Sequence, residues 1–61
     1  MDAKDKITER IAIVEMEIGF LRTVGRSPNP VHRIAAAEVE IDRNREIAAL
    51  RKDLQALQLS A

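Results

Sequence analysis

The chain has 61 residues, 46% of them apolar and 33% charged, with ten basic and ten acidic side chains, no cysteine and a single aromatic residue, Phe20. This composition excludes a disulfide-stapled scaffold, a thiolate metal centre and a disordered tail, and the zero net charge weighs against generic electrostatic capture of nucleic acid. No apolar run approaches the ~18 residues of a membrane span, so one small cytoplasmic domain over 1–61 with no membrane association is expected, and at this size it needs oligomerisation to gain stability.

Ile7, Ile11, Val14, Ile18 and Leu21 recur at spacings of four and three, which predicts a helix over about 5–24 that lies along a neighbouring helix. Arg10, Glu15, Glu17 and Arg22 flank this seam, where charges of both signs tune pairing. Ile13, Met16 and Phe20 form a second apolar row on another face, which one neighbouring helix cannot also cover.

Helix-breaking residues gather in Gly25-Arg26-Ser27-Pro28-Asn29-Pro30. Gly25 can take the left-handed conformation that closes a helix, and the two prolines keep the residues before them extended. Asn29 followed by Pro30 reads as an N-cap and first helical position, so a loop over 25–29 should lead into a second helix over about 30–59. The loop length suits antiparallel neighbours.

If the chain reverses there, one register sets Leu21 near Ile34, Ile18 near Ala37, Val14 near Ile41, Ile11 near Asn44 and Ile7 near Ala48. An all-α antiparallel hairpin is the predicted fold, with Asn44 at the seam or its solvated edge. Beyond Ala48, this register leaves Leu50, Leu54, Leu57 and Leu59 without an intrachain partner. They extend a face that includes Ala36, Val39 and Ile47 and is interrupted by Glu40 and Arg43. Each buried leucine is worth about 1.5–3 kcal/mol. A homodimeric four-helix bundle, or a higher homo-oligomer, is therefore expected, with Ile13, Met16, Phe20, Val39, Ile47, Leu50, Leu54 and Leu57 at the interface.

Between Glu17 and Glu38 there is no acidic residue, while Arg22, Arg26, His32 and Arg33 fall in that interval. His32 and Arg33 occupy the first turn of the second helix, where the macrodipole disfavours cations by about 0.3–1 kcal/mol each. With Ser27, these four residues form a basic pole at the loop, a candidate site for an acidic protein surface or a phosphate-bearing small molecule such as a nucleotide. Solvated loop charges are the plain alternative.

Catalysis lacks parts. The hydroxyl residues Thr8, Thr23, Ser27 and Ser60 have no adjacent base, and the residue three before His32 is Asn29 where a carboxylate-bridged metal bundle would place Glu. No phosphate loop or dinucleotide fingerprint is present, and stacking aromatics for single-stranded nucleic acid are missing. Glu38, Glu40 and Asp42 read as a solvated face shared with Arg43 and Arg45. The expectation is a cofactor-free, metal-free, non-enzymatic homo-oligomer. It would act by protein–protein contact as an adaptor, inhibitor or regulator, at a size common in phages and mobile elements. Binding of an anionic small molecule is the second reading, and an RNA- or DNA-binding regulator the third.

Overall fold

The computed structural model describes residues 2–60, folded as two helices, α1 over Ala3–Val24 and α2 over Pro30–Leu59. α1 starts two residues earlier than its apolar period predicts, because Asp2 caps it by accepting the Asp5 N–H at 2.9 Å. At the other cap, Asn29 Oδ1 accepts the Val31 N–H at 3.0 Å and proline occupies the first turn. Both caps satisfy donors that have no intrahelical acceptor.

Gly25 does not take the left-handed conformation. Its φ and ψ are −63° and −13°, and the backbone keeps coiling through Arg26 N–H to Thr23 O at 3.1 Å and Ser27 N–H to Val24 O at 2.9 Å. Tight turns of this kind satisfy the last carbonyls of a helix without positive φ. The chain reverses after Ser27, through the extended Asn29 with φ −81° and ψ 115°.

The helices pack antiparallel, and the core they enclose is Val14, Ile18 and Ile47, with Ala36 also buried. Ile7, Ile11 and Leu21 are half-buried on the same face of α1, so the predicted seam of that helix stands. The predicted seam of α2 is overturned. Ile34 and Ile41 are 61% and 52% exposed, and Ala37, Asn44 and Ala48 also face solvent. In their place α2 turns Ala36, Arg43, Ile47, Leu50, Leu54 and Leu57 inward. The leucines expected to lack an intrachain partner thus lie alongside the N-terminal half of α1, half-buried, and only Leu59 is largely exposed.

Four cross-helix ion pairs accompany this choice of face. Arg10 meets Glu46 at 2.7 Å, Glu17 meets Arg43 at 2.8 Å, Arg22 meets Glu40 at 3.1 Å, and Glu15 meets Arg51 at 3.1 Å. All four charges that flank the α1 seam therefore find a partner on α2. Glu40 and Arg43, read from the sequence as part of a solvated face, belong to these bridges. Among the described residues, no helix is long and apolar enough to cross a membrane.

Candidate functional site

The loop end brings three of the five predicted basic-pole residues around one open cleft. Arg22, Arg26 and Arg33 line it with Gly25, Ala37 and Glu40, enclosing about 350 Å³. His32 is exposed and does not line this cleft, nor does Ser27. Much of the donor capacity is already engaged. Arg22 Nε donates to Glu40 Oε1 at 3.1 Å, and Arg33 Nη1 donates to the carbonyls of Ser27 and Pro28 at 2.9 and 3.0 Å. Arg33 therefore holds the loop closed from the first turn of α2, which explains a cation placed against the helix dipole: it satisfies two loop carbonyls. Ser27 Oγ accepts the Asn29 N–H at 3.2 Å. The Arg26 side chain is exposed and has no ion-pair or hydrogen-bond partner among the described residues.

A second open cleft of about 360 Å³ continues along the same broad face, lined by Glu15, Ile18, Gly19, Arg22, Asn44, Ile47 and Arg51. Asn44 thus borders the core from the solvated side, and Gly19 leaves the groove wide.

The opposite broad face carries a denser arrangement. Arg10 forks onto Glu46, with Nε to Oε2 at 2.7 Å and Nη2 to Oε1 at 3.2 Å. Arg43 Nη1 donates to the same Oε1 at 3.2 Å, and its buried Nε lies 2.8 Å from Glu17 Oε2 in ion-pair contact without hydrogen-bond alignment. Arg10 closes the ring at 3.9 Å from Glu17. The hydrogen bond from Arg10 holds the Glu46 carboxyl below its ordinary range, and the Arg10 guanidinium is raised in return. Sequence spacing hinted at the α1 half of this network; its α2 half required knowing which face turns inward.

The residues expected at an oligomer interface separate into two groups. Ile47 is buried within the hairpin and Leu50, Leu54 and Leu57 lie on the same inward face, so the hairpin itself takes up most of their apolar surface. Met16, Phe20 and Ile13 remain 76%, 69% and 42% exposed, and Val39 is 39% exposed. At about 100° per residue, Met16 and Phe20 point roughly opposite to Val14 and Ile18, along the outer edge of α1. By the same geometry Ile34, Ile41 and Leu59 run along the outer edge of α2. The hairpin therefore has two charged broad faces and two apolar edges.

Among the described residues no group of three or more His, Asp or Glu side chains is placed to hold a metal ion. Comparison of the chain with protein-family models, curated proteins and solved structures gives no match in any of the three.

Proposed function

We propose that this hairpin is a non-catalytic, self-assembling binding protein that acts through protein–protein contact as an adaptor, inhibitor or regulator. The observation that carries the reading is the apolar surface left outside. The accessible surface is 4710 Å² for 6.8 kDa, against about 4000 Å² for a compact monomer of that mass. Met16, Phe20, Ile34 and Ile41, all more than half exposed, contribute to the excess. Exposed apolar rows of this kind mark interaction surfaces. The hydroxyls support a non-catalytic role: Thr8, Thr23 and Ser60 donate to backbone carbonyls within their own helix or its end, and Ser27 accepts a loop N–H. Sedimentation equilibrium over a wide concentration range tests the assembly. A single species at the 6.8 kDa chain mass throughout would remove it.

A second reading is favoured by the loop-end cleft: capture of a phosphate-bearing small molecule by Arg22, Arg26 and Arg33. Calorimetric titration with inorganic phosphate and with an adenine nucleotide, on wild type and on Arg26→Ala, tests it. The expected result is a salt-sensitive signal lost in the variant; no heat with either probe would eliminate this site.

A further inference from the structure

The two apolar edges differ in charge, and the difference is complementary. Along the outer edge of α1, Ile13, Met16 and Phe20 occupy the half nearer the loop, and Asp5 and Glu9 the half nearer the open end. Lys6 only borders that edge. Along the outer edge of α2, Ile34 and Ile41 occupy the loop half, and Arg45 and Lys52 follow toward the open end. Among the described residues none of these four charges is ion-paired, whereas Arg10, Glu15, Glu17 and Arg22 beside the α1 seam all are. Glu38, also on the α2 edge, lies nearer the loop, level with Thr23 of its own hairpin, and Asp42 and Asp53 border that edge as Lys6 borders the other.

We infer that the occupant of each edge is a second copy of this chain, with the α1 edge of one hairpin laid on the α2 edge of the next and both loops pointing the same way. In that arrangement α1 and the neighbouring α2 run antiparallel, as they do within the hairpin. With the neighbour slid about 10 Å toward the open end, two helical turns from level, Phe20 covers Ile34, Met16 lies between Ile34 and Ile41, Glu9 faces Arg45 and Asp5 lies between Arg45 and Lys52. A two-fold dimer through α1 alone leaves the α2 row exposed, and one through α2 alone leaves Met16 and Phe20 exposed. The head-to-tail contact buries both rows with one interface type. Because its two sides differ, repetition produces a ring or an open array.

This geometry rests on the self-assembly proposed above and is tested separately from it. Two variants are made, Met16→Glu with Phe20→Glu on the α1 edge, and Ile34→Glu with Ile41→Glu on the α2 edge. These positions lie outside the hairpin core, and circular dichroism verifies that each variant stays helical. Native mass spectrometry and sedimentation then report size. The expected result is that each variant alone has the 6.8 kDa chain mass, and that an equimolar mixture forms a heterodimer of twice that mass and goes no further, since each partner contributes its one intact edge. A variant that still assembles by itself, or a mixture that stays monomeric while wild type assembles, overturns the head-to-tail contact and leaves self-assembly standing. A monomeric wild type overturns both.

Discussion

Ile47→Ala and Ile41→Ala together test which face of α2 the hairpin buries. Ile47 is 6% exposed within the core cluster, and truncation to alanine removes three carbons at about 0.8 kcal/mol each plus a cavity term, a loss of roughly 2.5–4 kcal/mol. A chain of this length has a total stability of about 3–9 kcal/mol, so the variant should lose roughly a quarter of it or more. Ile41 is 52% exposed, and the same truncation there should cost about 1 kcal/mol or less by the area it still buries. Urea unfolding followed by circular dichroism at 222 nm measures both, at a dilution where wild type sediments as one chain, since assembly would otherwise add a concentration-dependent contribution. On raising the concentration, the Ile41→Ala deficit should grow as the edge contact forms, and the Ile47→Ala deficit should be present throughout. Equal losses at low concentration would refute the assignment of the α2 seam.

The charged network predicts a pH dependence with a defined sign. Because Glu46 is held below its ordinary value of 4.5, its stabilisation is complete above that pH and disappears as pH falls through the depressed folded value. Glu46→Gln should therefore be less stable than wild type at pH 7, and the gap should close on acidification below 4.5; a gap that persists there in urea midpoints would contradict the assignment. A methyl at Gly19 meets no atom within 4 Å, so Gly19→Ala should raise stability by about 0.5–1 kcal/mol through helix propensity. A fall in Tm would instead place a neighbouring helix against that glycine in the assembly. Asp2→Ala removes the N-cap of α1 and should cost about 1 kcal/mol in the urea midpoint, and no change would show that the first turn contributes nothing to folding.

Two helices, their break between Val24 and Pro30, and the inward face of α1 are legible from residue spacing alone, because α1 has a single long row of β-branched and leucine side chains. The α2 helix has two rows of comparable apolarity, and periodicity cannot rank them. One row, Ile34, Ala37, Ile41 and Ala48, continues into Lys52 and Gln55. The other, Ala36, Ile47, Leu50, Leu54 and Leu57, continues apolar to the end of the helix but is interrupted by Glu40 and Arg43. Reading those two charges as interruptions favours the wrong row. A charge on a seam costs desolvation unless a partner lies across from it, so the relevant question is whether α1 carries the opposite sign at the same level. It does: Arg22 serves Glu40, and Glu17 serves Arg43. The charges that mark this row as unsuitable in isolation are the ones that select it in the pair.

The same test reassigns the need for a partner. With the leucine row placed against α1, the tail of α2 no longer calls for a second chain, and the apolar side chains left exposed on the outer edges include Met16, Phe20, Ile34 and Ile41. In the proposed contact between copies the matching of signs recurs. Asp5 and Glu9 lie on one edge and Arg45 and Lys52 on the other, each pair on the open-end side of its apolar row. Contacts among exposed charges are worth about 0.2–1 kcal/mol each, too little to hold copies together by themselves. Their role in the proposed assembly is orientation: they would favour neighbours with loops pointing the same way and disfavour acid-on-acid or base-on-base pairings of like edges, while the apolar rows would supply the affinity. Reversing the signs on one edge alone, with Arg45→Glu and Lys52→Glu, should therefore weaken assembly, and adding Asp5→Lys and Glu9→Lys should restore it. Restoration by the second pair of changes, read as recovered mass at the same concentration, is the outcome that generic loss of basic surface charge would not produce.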